Sequence, residues 1–218
     1  MWNSLTTRQQ DISIGDALAR RYRPDINLFA APRDDGAPAL EALSALIQPD
    51  ETIFLLQAGP APIPPGFETV KAGPGVQMVA GAPIELVPGP DAIQPLTEAD
   101  APDMLALATL TEPGPFLART HLMGEFWGVV RGGRLAAMAG ERMRLPGFCE
   151  LSGVCTHPDF EGQGLARRLS AHVAHRIQAR GETPFLHAWT SNTRAIGLYE
   201  RLGFEVRSAV NAVVLRRC

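Results

Sequence analysis

The chain contains 218 residues, which is enough to bury one large hydrophobic core or two small ones. Hydrophobic residues make up 45% and charged residues 20% of the sequence, which is ordinary for a soluble globular protein. The net charge is −3 without a dense Lys/Arg patch, and no apolar run approaches the ~18 residues of a membrane-spanning helix, so we expect neither a nucleic-acid nor a membrane partner.

The three cysteines, Cys149, Cys155 and Cys218, include no Cys-x-x-Cys pair. An odd number without that spacing favours neither a disulfide scaffold nor a zinc site, so we expect no metal. Free thiols are typical of a reducing compartment, and the first residues lack the basic and apolar regions of a signal peptide. A cytoplasmic location is therefore expected.

The first half of the chain mixes helix and strand signals. Apolar residues at helical spacing predict a helix within residues 39–47, and a short buried strand is predicted over residues 52–56. Prolines are dense over residues 59–95. Because proline lacks an amide donor, we expect only short strands in that stretch, over residues 67–70 and 76–79.

The second half has clearer boundaries between elements, and we place a domain boundary near residue 90. A smaller α/β N-terminal region (1–90) would precede a domain with a mixed α/β sheet (91–218). Strands are predicted over residues 93–96, 126–130, 135–144, 149–156, 185–189, 204–206 and 212–215. Helices are predicted from Thr97 to about Leu110, through Leu165, Leu169, Val173 and Ile177, and over residues 192–202 before Gly203.

A glycine-rich loop follows the strand that ends at Thr156 and precedes the helix of Leu165. Glycines let backbone amides approach a ligand closely, and the unpaired amides at a helix start attract phosphate. The Lys-Ser/Thr pair of a P-loop is missing, and Arg167 stands where a dinucleotide fingerprint has its third glycine. The loop alone therefore predicts a pyrophosphate site or a tight structural turn.

A second segment, Trp189–Phe204, identifies the ligand. With the loop it resembles the GNAT superfamily of N-acetyltransferases, which pairs a Gln/Arg-x-x-Gly-x-Gly/Ala loop with a downstream Asn-x-x-Ala-x-x-x-Tyr…Gly-Phe segment. The matching residues are Gly164, Ala166, Asn192, Ala195, Tyr199, Gly203 and Phe204. Glu161 departs from the family's Gln or Arg. The resemblance covers about residues 92–218 and implies the mixed central sheet of an acyl-CoA N-acyltransferase.

The resemblance also implies acetyl-CoA as cosubstrate and a set of residues that bind it. The backbone of the strand before the loop would bind the pantetheine arm as an added strand does. Loop amides would hold the pyrophosphate, and Asn192 would contact the donor arm from across the cleft. The predicted cofactor-binding residues are Val154, Cys155, Thr156, Gly162, Gln163, Gly164, Leu165, Ala166, Arg167, Asn192 and Ala195. Tyr199 would be the general acid for the leaving thiolate.

The attacking amine must lose a proton, and Glu150 and Glu141 are the candidate bases. If residues 145–148 close a two-residue hairpin, Glu150 faces Met143 and Glu141 faces Ser152. Both acids then lie on one face of the sheet, close enough to interact. Desolvation or the like-charge neighbour would raise the pKa of one of them. The alternatives are that these acids bind a substrate cation or face solvent, and that a water mediates deprotonation.

The sequence therefore predicts an N-acetyltransferase that acts on a primary amine of a small molecule or peptide by direct attack. A Cys155 nucleophile has no evident partner base and is not favoured. Two alternatives stay open: a CoA-binding module of the same shape without turnover, and a transferase of a longer acyl group. The expected assembly is a monomer or homodimer.

Overall fold

A computed structural model describes all residues from 1 to 218, which form five α-helices and eleven β-strands. The helices are Trp2–Thr6 (α1), Ala37–Leu46 (α2), Ala101–Thr111 (α3), Leu165–Ala179 (α4) and Thr193–Glu200 (α5). The strands are Ser13–Gly15 (β1), Ala19–Tyr22 (β2), Ala30–Pro32 (β3), Thr52–Gln57 (β4), Phe67–Ala80 (β5), Gln94–Leu96 (β6), Phe126–Arg131 (β7), Arg134–Leu145 (β8), Phe148–Thr156 (β9), Thr183–Trp189 (β10) and Phe204–Arg217 (β11).

The core is one eight-stranded sheet with the strand order β4-β11-β5-β10-β9-β8-β7-β6. All neighbouring strands are antiparallel except β9 and β10, which are parallel. A separate three-stranded sheet of β1, β2 and β3 precedes it in the chain. These features confirm the predicted mixed α/β sheet with a smaller N-terminal region.

Different helices cover the two faces of the large sheet. On one face, α4 buries Leu165, Leu169, Val173 and Ile177 against the sheet, and α5 packs beside them. On the other face, α3 buries Met104 and Leu107 near β7–β9, while the N-terminal elements cover β4, β10 and β11. We call these the α4 face and the α3 face. No helix combines the length and apolarity needed to cross a membrane.

The strand β5 comes from the N-terminal region but lies between β10 and β11. The predicted boundary near residue 90 therefore does not separate two sheets. The predicted break in this strand is also wrong, since β5 runs through Pro74 without interruption. Pro74 is tolerated because β10 ends beside it: Trp189 pairs with Gly75, and the Pro74 carbonyl accepts a hydrogen bond from the Thr190 amide at 3.2 Å.

The β8–β9 hairpin has the predicted turn but not the predicted register. Leu145 pairs with Phe148 as expected, but the register shifts before Glu141, which pairs with Leu151 rather than Ser152. A β-bulge in β8 opposite Glu150 causes this shift, because an extra residue reverses the alternation of side chains beyond it. Glu141 and Glu150 therefore lie on opposite faces of the sheet, and the expectation that they share a face is wrong.

Candidate active site

The parallel strands β9 and β10 form a V-shaped cleft. Their registered pairing covers only Phe148–Glu150 against Thr183–Phe185. Farther along, each strand stays paired on its outer side, β9 with β8 and β10 with β5. Because the His157 amide donates to Ala136 of β8, the Thr156 carbonyl at the other end of the same peptide points away from β8 and toward the cleft. A register shift interrupts the β8–β9 ladder at residues 153–154, next to this point. The cleft thus offers a strand edge with free backbone groups.

The glycine loop closes one end of the cleft on the α4 face. Gly162 and Gly164 have φ values of +74° and +76°, a left-handed conformation that favours glycine. Gly164 is the N-cap of α4 and supplies no side-chain cap, so the first amides of the helix have no partner. Arg131 contacts the loop: it donates a hydrogen bond to the Gln163 side-chain oxygen and forms an ion pair with Asp91 at 2.8 Å.

The segment Asn192–Tyr199 forms the other side of the cleft. The Asn192 side-chain oxygen accepts a hydrogen bond from the Ala195 amide at 3.1 Å and caps α5, while its NH₂ group has no partner within the protein. Glu161, the departure from the family pattern, lies 3.6 Å from Arg194 of α5. Both side chains are largely exposed, so this ion pair contributes little to stability.

Tyr199 lies half-buried on the α4 face, with its ring 5.9 Å from that of Phe204. Its hydroxyl makes no hydrogen bond within the protein, so it is free to donate to a bound group. Burial raises the pKa of Tyr199 to about 12, with a smaller opposing effect from Arg142. The phenol therefore keeps its proton at neutral pH.

Glu150 is fully buried at the apex of the cleft, on the α3 face. Both of its oxygens accept hydrogen bonds from Arg142, at 2.6 and 2.8 Å. Burial alone would raise the pKa of Glu150, but the charge and hydrogen bonds of Arg142, with those of His187, hold it well below its usual range. The carboxylate is ionised and its lone pairs are occupied, so the geometry does not favour it as the base.

His187, which the sequence analysis did not single out, lies beside Glu150. Its Nδ1 lies 2.7 Å from Glu150 Oε1 and its Nε2 lies 3.1 Å from the Gln77 amide nitrogen. A histidine inside a predicted strand carries no motif. Only the register of β10 against its two neighbours, which pairs Phe185 with Glu150 and His187 with Gln77, reveals it.

Glu141 lies away from the cleft. Its carboxylate faces the C-terminal end of α4, where it pairs with Arg180 at 2.5 Å. The glycine loop and Tyr199 lie toward the opposite end of that helix. The structure thus brings Tyr199, Asn192 and the loop together around the cleft, and it does not bring Glu141 to them.

A small cavity of about 10 Å³, room for roughly one water molecule, lies on the α3 face. Its wall is the loop Pro113–Phe116, which follows α3, together with Thr120 and Phe126. Its floor is Arg142, Ser152 and Gly153 of the β8–β9 hairpin. The cavity therefore adjoins the Arg142–Glu150 ion pair from the side opposite Tyr199.

The chain is similar in sequence to known proteins. The model of the FR47-like protein family matches residues 126–213. The [ribosomal protein bS18]-alanine N-acetyltransferase of Escherichia coli strain K12 is 36% identical over 77 residues, which are 35% of this chain and 51% of that enzyme. The chain thus spans about half the length of the curated relatives it matches.

Solved structures extend the likeness to the whole chain. A GNAT-family protein from Novosphingobium aromaticivorans DSM 12444 is 42% identical, with a TM-score of 0.92 over 100% of this chain and 96% of that one. A GCN5-related N-acetyltransferase from Kribbella flavida is 17% identical, with a TM-score of 0.65 over 95% and 90% of the two chains, which shows a common fold. The resemblance seen in the sequence is confirmed: the chain belongs to the GNAT family.

Proposed function

We propose that this protein is an N-acetyltransferase that moves an acetyl group from acetyl-CoA to a primary amine of a small molecule or peptide. The observation that carries the proposal is the cleft between β9 and β10, flanked by an uncapped helix start and by a protonated phenol. The strand edge of the cleft would bind the pantetheine arm, the helix start would bind the pyrophosphate, and the phenol would protonate the leaving thiolate.

The donor would bind along the cleft on the α4 face. The backbone groups of Val154 and Thr156 would bond the pantetheine amides as an added strand does. The free amides at the start of α4 would hold the pyrophosphate, with the exposed Arg167 adding charge. The free NH₂ of Asn192 would donate to the arm from the other side.

The acceptor would arrive from the α3 face. The cavity between Pro113–Phe116 and Ser152 lies there, on the opposite side of the sheet from Tyr199. The E. coli relative acetylates the alanine of a ribosomal protein, and its matched 77 residues make a peptide N-terminus the first acceptor to test.

The reaction would be a direct attack. The neutral amine nitrogen bonds to the thioester carbonyl carbon, the C–S bond breaks, and the leaving sulfur takes a proton from the Tyr199 hydroxyl. The buried Cys155 takes no part, because burial raises the pKa of its thiol to about 11 and keeps it protonated.

Two measurements on the intact protein test the function. Calorimetry with coenzyme A should show saturable binding, and acetyl-CoA mixed with an N-terminal-alanine peptide or small primary amines should release free thiol. Binding without thiol release across the panel would favour a CoA-binding module. Faster release from succinyl- or longer acyl-CoA would favour the other alternative, and no binding at all would contradict the proposal.

A further inference from the structure

We propose that His187 accepts the proton of the attacking amine, and that Glu150 positions His187 for this role. The inference rests on the proposed acetyltransferase function and deepens it. It replaces the carboxylate base expected from the sequence with a histidine oriented by that carboxylate.

The hydrogen bonds fix which nitrogen of His187 carries its hydrogen. The ionised Glu150 carboxylate only accepts, so Nδ1 at 2.7 Å must donate to it. In a neutral imidazole the lone pair is then on Nε2. The hydrogen bonds of Gln77 support this tautomer. Arg207 donates to the Gln77 oxygen at 2.6 Å, so the NH₂ group of Gln77 faces His187 Nε2 and donates to it.

The two proposed proton-transfer groups lie on opposite faces of the sheet. The His187 ring stacks edge-on at 5.7 Å against Phe185, whose side chain belongs to the core of the α3 face. Tyr199 packs against the core of the α4 face. An amine arriving from the α3 face and a thiolate leaving on the α4 face would each meet one of them.

The Gln77 side chain covers the lone pair on His187 Nε2, and a substrate must displace it to reach that lone pair. The His187 side chain is 12% exposed, whereas Glu150 is 0% exposed and saturated with donors. Gln77 is half-buried and is held by Arg207, which is itself exposed. An incoming ammonium group can take the place of the Gln77 donor, since both present N–H bonds to the same lone pair.

The protons balance over one turnover. An alkylammonium loses one proton to His187 Nε2 and then attacks as the neutral amine. A second proton leaves the nitrogen as the C–S bond breaks, while the sulfur takes a proton from Tyr199. The second proton restores Tyr199 through solvent, and His187 releases the first to solvent, so the net products are the amide, the free thiol and one proton.

The decisive variant is His187→Asn. The Asn NH₂ group can replace the Nδ1–H donor to Glu150, but no acceptor remains at the position of Nε2. We expect unchanged coenzyme A binding by calorimetry, an unchanged melting temperature, and a loss of about 10²-fold or more in kcat/KM for the amine that the wild type acetylates. His175→Gln, on the exposed side of α4, is the matched control and should retain the wild-type rate.

A pH profile separates proton transfer from a structural role. As pH rises, more of the amine is neutral before it binds, so the deficit of His187→Asn should shrink. The charged and titratable groups around His187 are Glu150 from β9, Arg142 from β8 and Arg207 from β11, with Tyr22 from β2 and the α-amino group of Met1 beside the ion pair. Burial lowers the pKa of the Met1 α-amino group, but this group is the same in the wild type and in the variant and should affect both rates alike. The pKa of Glu150 is lowered and that of the buried Tyr22 is raised, so neither titrates near neutral pH.

Three results would overturn the inference while the proposed function stood. They are a wild-type rate in a folded His187→Asn variant, a deficit that stays constant with pH, and an Nε2–H tautomer of His187 in nitrogen-15 spectra of the protein. If His187→Asn fails to fold, His187→Gln serves in the same assays. Absence of any thiol release by the wild type would instead contradict the proposed function, and this inference with it.

Discussion

Glu150 and Phe185 are the last registered pair between the two parallel strands of the sheet. Beyond this pair the strands diverge, and the next side chain of β10 on the same face is His187. The buried Glu150 is therefore both the apex of the cleft and the anchor of the histidine beside it. Its contribution to stability, through Arg142, and its role in orienting His187 can be tested separately.

We expect Tyr199→Phe to lower kcat by about 10²-fold, because it removes the proton donor to the leaving sulfur. Coenzyme A affinity should stay nearly constant, since the substitution removes one hydroxyl and leaves the strand edge and the helix start proposed to bind the donor unchanged. With the pKa of Tyr199 raised to about 12, loss of its proton should not limit the wild-type rate below that pH. Thiol release against pH measures both effects, and an unchanged rate would rule out the acid role.

We expect Glu150→Gln to destabilise the protein by about 3 kcal/mol, because it leaves the buried Arg142 guanidinium without a counter-charge. Urea unfolding measures the change. A variant that replaces both partners, Arg142→Met with Glu150→Met, should recover part of the loss. Glu150→Gln should be compared with Asp159→Asn, whose exposed pairing with Arg134 should matter little.

The same carboxylate predicts how stability depends on pH. The folded-state pKa of Glu150 lies well below the ordinary value of 4.5, so its contribution is fully present above that pH and is lost as pH falls toward the folded pKa. The free energy of unfolding should therefore drop more steeply below about pH 4.5 in the wild type than in Glu150→Gln. Parallel acid slopes would show that the ion pair is not responsible.

Substitutions of two glycines at the ends of α4 distinguish an effect on coenzyme A binding from an effect of backbone strain on stability. Gly164 and Gly181 have φ values of +76° and +75°, and an added Cβ would meet no atom within 4 Å at either position. Alanine at each should cost a similar ~1–2 kcal/mol, which thermal unfolding measures. Only Gly164→Ala should also weaken coenzyme A binding, because only that glycine precedes the helix start. Equal affinity in the two variants would argue against a pyrophosphate site.

The buried Cys155 should be dispensable for chemistry. Cys155→Ala should keep the rate within a few-fold, and intact-mass spectra after mixing with acetyl-CoA should show no acetyl-enzyme. In the native protein a thiol reagent should modify the exposed Cys218 first, since burial raises the pKa values of Cys149 and Cys155. Transient acetylation of Cys155 would instead establish a two-step mechanism.

The sequence predicts local features of this fold well and pairings across the sheet poorly. The glycine loop, α4 and the Asn192–Tyr199 helix follow from spacing, caps and turns, which act over a few residues. The predicted pairing of Glu141 with Ser152 is wrong, because one extra residue in β8 reverses the alternation beyond it. No local signal in the sequence marks this bulge.

His187 illustrates the same limit for the site. Its partners Glu150 and Gln77 lie 37 and 110 residues away along the chain. Their meeting depends on which strands become neighbours, and the place of β5 between β10 and β11 is set by tertiary packing rather than by any short motif. The proposed donor residues are close together in the sequence and follow from local motifs, whereas the proposed acceptor side is assembled from distant strands.

The position of β5 also has a consequence for biosynthesis. Both strands that pair with it, β10 and β11, leave the ribosome more than 100 residues later, so both edges of β5 stay unpaired while those residues are made. Unpaired edges invite aggregation, and charges or prolines within a strand oppose it. Glu68, Lys71 and the central Pro74 of β5 are of the kind that oppose aggregation of a strand before β10 and β11 pair with it.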